Sequence, residues 1–122
     1  MGQKLIDRTA AALVLRSLMR SIMDGADARI LEQVTERLRP GDMFQVEYMM
    51  ILEAVQALRG KGAMLSLSAI QEELKPNDPA CFALIVLDLI VERREQGPND
   101  LETVGGLIEF LVSFRAETHS GK

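Results

Sequence analysis

The stretch LRPGDMFQVEYMMILEAVQAL, residues 38–58, decides how this chain is read, because it joins a Pro-Gly-Asp break to a long run of helically spaced apolar residues. Tyr48, Ile51, Leu52, Val55 and Leu58 recur at intervals of three and four, which is one face of an α-helix. Met49 and Met50 widen that stripe. Asp42 and the glycine before it make a turn ahead of the helix, and Gly60 is expected to stop it.

Working outward, the same punctuation divides the rest of the chain. Upstream, a helix over roughly residues 7–23 continues from Ile6 a stripe of Ala10, Leu13, Val14, Leu18 and Ile22 that Asp24 and Gly25 bring to a stop. A second helix opens at Asp27, a good N-cap, and runs through Ile30, Leu31, Val34 and Leu38 until Pro40. Downstream, Ser68 and Gln71 have capping-box spacing for a short fourth helix anchored by Ile70 and Leu74. A fifth helix is expected at about residues 79–95, with Asp78 and Pro79 at its start, Arg93 and Arg94 near its C-terminus, and Gly97-Pro98 ending it. A sixth, residues 103–117, turns Val104, Leu107, Ile108, Leu111 and Phe114 inward.

No period-two pattern competes anywhere, so the expected fold is all-α: a compact bundle of about six short helices. Its expected core is Leu13, Leu31, Val34, Tyr48, Ile51, Leu52, Val55, Leu58, Ile70, Leu74, Leu107 and Leu111. The 122 residues, 48% hydrophobic and 26% charged, suit one domain over residues 1–117 with a polar tail at 118–122. With no Trp, 4% aromatic residues and 7 Met, the interior must be built from Leu, Ile, Val and Met, which favours helix packing over sheets.

The charge pattern narrows the partners. The net charge is -4, and its excess acid lies in the second half: residues 1–60 carry eight charges of each sign, residues 61–122 six basic and ten acidic. Clustered Lys and Arg, which non-specific nucleic-acid or anionic-membrane binding requires, are missing. The longest apolar run, CFALIVLDLIV at 81–91, is interrupted by Asp88 and falls short of the ~20 residues of a membrane helix. With one cysteine and no basic-plus-apolar leader, a cytoplasmic location is expected.

A search for chemistry finds none. His119 stands alone in the polar ending ETHSGK, and no His/Cys spacing fits zinc. Glu72-Glu73 and Asp88, Glu92 and Glu95 read as solvated helix faces, and Cys81, at the head of an apolar run, as a buried inert thiol. Gly60-Lys61 fails the phosphate-loop pattern twice, with Val55 where a glycine is needed and Gly62 where a hydroxyl is needed. Gly105-Gly106 follows no strand. A DNA-reading fourth helix would present Gln71, Glu72, Glu73 and only Lys75, and its acids would repel phosphates. No catalysis, cofactor or metal is expected; a small helical DNA-binding regulator is the alternative class.

The order of segments resembles a known family. VLRSLM closing the first helix, LRPGDMF closing the second, then YMMILEAVQAL and GKGAMLSLSAIQEEL, make residues 10–74 similar to the N-terminal domain of bacterial replicative DNA helicases of the DnaB family. LETVGGLIEFL, residues 101–111, resembles the GG-x-x-Y-L helix start that follows there, so the likeness covers about two thirds of the chain. Departures are Ala11 and Arg16 in place of an acid and a glycine, and Met43, Phe44 and Tyr48 in place of a Phe-Tyr pair and a His. Ser66 stands for the family's capping Asp. Residues 76–100 look like an insertion with an extra helix, and the C-terminal hairpin and ATPase domain do not follow. The resemblance implies an interaction module: in those helicases this domain belongs to the ring's collar, pairs with its own kind and binds primase and other replication proteins. A homodimer, or docking on a helicase, primase or helicase loader, is the resulting expectation; a helicase domain without its motor would equally explain the length.

The inserted helix is where partner contact is sought. Phe82, Val86, Leu89 and Ile90 form one stripe and Leu84, Leu87 and Val91 another, so the helix is apolar nearly all round. Phe82, Leu84, Leu87 and Val91 are the candidate interface; passage of the helix through the middle of the domain is the competing reading.

Overall fold

The computed structural model describes residues 2–78 and 81–120, with side chains for 10–78 and 81–115. Those residues form six α-helices and no strand: α1 (Gly2–Asp24), α2 (Ala28–Arg37), α3 (Val46–Gly60), α4 (Leu67–Leu74), α5 (Phe82–Glu92) and α6 (Leu101–Ser120). Short 3-10 turns at Pro40–Met43, Lys75–Asn77 and Arg94–Gln96 join them. Two of the helices are long, with 23 residues in α1 and 20 in α6. Residues 118–120 of the expected tail continue α6, and residues 121 and 122 lie outside the described part.

The bundle is built around α1. Ala10, Ala11, Val14, Leu15, Leu18 and Met19 are buried, and so are the polar Ser17 and Ser21. A helix covered on so many sides must be central, and α1 packs on α2, α3, α5 and α6. Only a narrow sector faces outward. Leu13 lies beside that sector, which corrects its assignment to the core: it is only half-buried.

Buried serines serve close packing here. Ser17 Oγ lies 2.6 Å from the Pro98 carbonyl and 3.0 Å from that of Leu13, while Ser21 Oγ donates to the Asp27 carbonyl at 3.1 Å. Gly97 rests directly on α1, where a Cβ would stand 2.7 Å from Arg16 Cβ and 2.8 Å from the Ser17 nitrogen. Arg20 Nη1 donates to the Gly97 carbonyl at 3.3 Å, and Arg94 pairs with Asp24 at 2.9 Å. The loop after α5 is thereby clamped along the second half of α1.

Capping explains where the helices begin and end. Asp27 accepts from the Arg29 nitrogen at 3.0 Å and caps α2, as its position in the sequence suggests. For α4 the cap is Ser66, accepting from the Ala69 nitrogen at 3.1 Å; Ser68, expected to cap, is an exposed residue inside the helix. α3 ends in a Schellman arrangement, with Gly62 N–H bonded to the Arg59 carbonyl and Ala63 N–H to that of Leu58, both at 3.0 Å. The left-handed residue is Gly62 (φ 73), while Gly60 is still helical. Asp100, a cap absent from the sequence reading, accepts from the Thr103 nitrogen at 2.8 Å and starts α6.

Of the expected core, Val34, Ile51, Leu52, Val55, Leu58, Ile70, Leu74 and Leu111 are buried. Leu31, Tyr48 and Leu107 are partly buried against it. In α6 the inward positions are Val104, Ile108 and Leu111, with Leu107 to one side. The quoted stretch also ties α3 to α2 through Gln56, whose Nε2 donates to the Leu38 carbonyl at 2.8 Å and to that of Thr35 at 3.2 Å. Those carbonyls belong to the end of α2, where helix acceptors lack partners of their own.

Candidate functional site

α5 owes its placement to Asp78. That carboxylate is buried and accepts from the Leu84 nitrogen at 3.0 Å, satisfying an otherwise orphan donor in the first turn. It does so from three residues before the N-cap position, which is Cys81 with φ 62, so the expectation that Asp78 stands directly at the helix start needs correcting. Pro79, expected in the first turn, lies outside the described residues. Cys81 itself is exposed, contrary to its reading as a buried thiol, because the left-handed turn turns it out of the apolar run. At the other end Arg94 Nη1 donates to the Val91 carbonyl at 2.9 Å.

Once placed, the helix divides its apolar surface unequally. Ala83, Leu87 and Ile90 are buried against the bundle, where α5 packs on α1, α3 and α4. Leu84, Val86 and Val91 are partly buried beside them. Phe82, Ile85 and Leu89 remain 62%, 56% and 50% exposed. The helix is therefore peripheral, and the central position belongs to α1.

Of the four candidate interface residues, only Leu87 is withdrawn from the surface. Leu87 is fully buried and belongs to the core; Leu84 and Val91 pack against it. Phe82 alone is on the outer face, joined by Leu89 and by Ile85, which the sequence reading did not place in either stripe. The signal for Ile85 was present, since Phe82, Ile85 and Leu89 are spaced i, i+3, i+7. Asp88 and Glu92, exposed along one edge of this face, supply a charged rim.

A second constellation lies at the other end of the quoted stretch. The Asp42 carboxylate is buried, accepts from the Arg39 nitrogen at 2.8 Å and takes both Nε and Nη2 of Arg115 from α6. Its hydrogen bonds to Asp42 hold the Arg115 guanidinium above its ordinary pKa. Next to it Phe44, at φ 65, centres a three-residue turn closed by the Gln45 nitrogen on the Met43 carbonyl at 2.8 Å. Its ring meets Phe114 edge-on at 5.6 Å, and Phe114 meets Phe110 likewise at 5.0 Å.

The charged helix faces show ordinary surface pairing. Lys75 with Glu72 and Lys61 with Glu73 stand at 2.8 and 2.9 Å. Among the described residues no group of three or more His, Cys, Asp or Glu is arranged to hold a metal ion. No helix among them is long and apolar enough to cross a membrane. No known protein family, characterised protein or solved structure matches this chain.

Proposed function

We propose that the protein is a non-catalytic interaction module of DNA replication, pairing with a second copy of itself or with a replicative helicase, primase or helicase loader through the outer face of α5. The observation that carries this reading is the row of Phe82, Ile85 and Leu89, three adjacent large apolar side chains half or more exposed on one helix. Together they present roughly 300 Å2 of apolar surface, of the order at which a patch on a monomer commonly has a binding role. A helix that offers such a face while its opposite side is packed in the core is a ready anchor for a partner helix.

The link to replication rests on the likeness of residues 10–74 to the helicase N-terminal domain, whose work is association rather than chemistry. The DNA-binding alternative is weaker, because Lys61 and Lys75 beside α4 are each paired with a glutamate and exposed Glu72 would face the phosphates.

The test is light scattering coupled to size-exclusion chromatography, on the protein alone and mixed with the replicative helicase of the same source. The expected result is a dimer or a co-eluting complex that Ile85→Glu with Leu89→Glu abolishes, with an unchanged far-UV spectrum. A monomer that ignores the helicase, or association indifferent to the double substitution, would overturn the proposal. Leu87→Glu is the contrasting control: it places a charge in the core and should unfold the protein.

A further inference from the structure

Away from α5, the Pro40–Met43 turn and the second half of α6 frame a cleft of about 290 Å3 lined by Arg39, Gly41, Phe44, Leu111, Phe114 and Arg115, together with Asp42, whose carboxylate is already taken by Arg115. We infer that this cleft binds a peptide segment of a partner protein in which an apolar or aromatic side chain stands beside a carboxylate.

Its shape supplies the apolar half of that recognition. Leu111 is fully buried at the floor, and Phe44, 41% exposed, forms a wall braced edge-on by Phe114. An inserted side chain would cover the exposed part of Phe44. The wall is held in place before any ligand arrives, because Phe44 is fixed in the left-handed region by the turn it centres. Backbone conformations of this kind, costly for a bulky residue, concentrate at ligand clamps. Gly41 has nothing within 4 Å of where a Cβ would sit, which leaves room for a partner backbone to approach.

Charge supplies the other half. Arg39 and Arg115 line the cleft, and Arg37 is their neighbour, its carbonyl 3.4 Å from Arg115 Nη2. Arg37 faces Glu109 at 3.4 Å and Arg115 is taken by Asp42. Arg39 has no ion-pair partner among the described residues; only its backbone is engaged by Asp42. The Nη1 group of Arg115 is likewise used by neither Asp42 nor the Arg37 carbonyl. One uncompensated cation at the mouth of an aromatic cleft, in a chain of net charge -4, matches a single carboxylate next to an apolar group. A nucleic-acid strand would need a row of such cations.

The experiment titrates the full 15N-labelled chain with the blocked peptide acetyl-Asp-Phe-amide, which carries one carboxylate, and separately with Asn-Phe and Asp-Ala counterparts. Amide shifts should be confined to residues 39–44 and 111–115. Binding of either control should be weaker by roughly tenfold, since each lacks one half of the recognition. Arg39→Gln, a change at an exposed side chain, should reduce the first peptide to the level of the Asn form. Equal binding of the Asp and Asn peptides, shifts centred elsewhere, or none at all would overturn the inference. So would larger shifts at the same residues with an oligothymidylate, which would reassign the cleft to nucleic acid. None of these outcomes depends on the α5 face.

Discussion

Arg115, in α6, donates from Nε at 3.2 Å and from Nη2 to the buried carboxylate of Asp42, a residue 73 positions earlier in the chain. The pair closes the end of the bundle, since the same carboxylate receives the Arg39 nitrogen at 2.8 Å and Arg115 also reaches the Arg37 carbonyl at 3.4 Å. Removing the arginine leaves a carboxylate 7% exposed with only one backbone donor. Removing the carboxylate frees both. Because Arg115 is itself 26% exposed, the loss is smaller than for a fully buried pair. Arg115→Ala should cost about 1–3 kcal/mol in urea unfolding, and Asp42→Ala a similar amount. The double variant should lose less than the sum of the two singles, because each single change already breaks the shared interaction.

Phe44 makes a sharper comparison, because its two contributions oppose each other. The ring contact with Phe114 stabilises, while φ 65 costs energy for any residue with a Cβ. Phe44→Ala removes the ring and keeps the backbone cost; Phe44→Gly removes both. The glycine variant should therefore be as stable as the alanine variant or more stable by about 1 kcal/mol, the reverse of the usual order in a helix. A markedly less stable glycine variant in thermal or urea unfolding would mean that the turn is not left-handed in solution.

How much of this was legible in the sequence follows from what pattern can carry. The all-helical class, the stripe of α3 and the Asp27 cap are local properties, encoded in spacing and in one side chain each. The centrality of α1 is hidden in the sequence, because Arg16, Ser17, Arg20 and Ser21 interrupt its apolar residues. In the structure both serines are buried against carbonyls 81 and 6 residues away, and Arg20 spans to the Gly97 carbonyl. Such bonds are tertiary and leave no period in the sequence. α5 failed in the opposite way. It is apolar nearly all round, and only the packing of α1, α3 and α4 decides that Leu87 goes in and Ile85 stays out. The Arg39, Phe44 and Arg115 cleft joins segments too distant for any motif, although the DMF turn marks one side of it.

The response to acid follows from the caps. Hydrogen bonds from the Thr103 hydroxyl and then its backbone hold the Asp100 carboxyl below its ordinary value, and the Arg29 side chain and then its backbone do the same for Asp27. A carboxylate depressed in the folded state adds stability that is fully present above its unfolded value, near 4, and is lost as pH falls through the lower folded value. The urea midpoint should thus be level around neutrality and decline below about pH 4. Asn at either position keeps an acceptor oxygen for the cap but cannot titrate. Asp27→Asn and Asp100→Asn should each flatten the acid decline, and a slope unchanged in the double variant would mean that other groups carry it. Salt should weaken the Asp27 contribution more, since its first partner is a guanidinium, whereas that of Asp100 is a hydroxyl.

Two glycine substitutions should move stability in opposite directions, and the difference tests the clamp between α1 and the loop after α5. At Gly97 a methyl group would meet Arg16 Cβ at 2.7 Å and the Ser17 nitrogen at 2.8 Å, closer than side chains tolerate. The neighbouring atoms are stem and backbone of a buried helix, so relief requires the loop to lift away from α1. Lifting it would also stretch the bond between Ser17 Oγ and the Pro98 carbonyl, now 2.6 Å. Gly97→Ala should accordingly cost about 1–3 kcal/mol in urea or thermal unfolding. Gly106 is the mirror case, an exposed position inside α6 with nothing within 4 Å of an added Cβ. There alanine restricts the unfolded chain and suits the helix, so Gly106→Ala should stabilise by roughly 0.5–1 kcal/mol. If Gly97→Ala proved neutral, the loop would not lie against α1 as described. If Gly106→Ala instead destabilised, the glycine would be needed for a close approach to that side of α6, and an interface there would have to be sought.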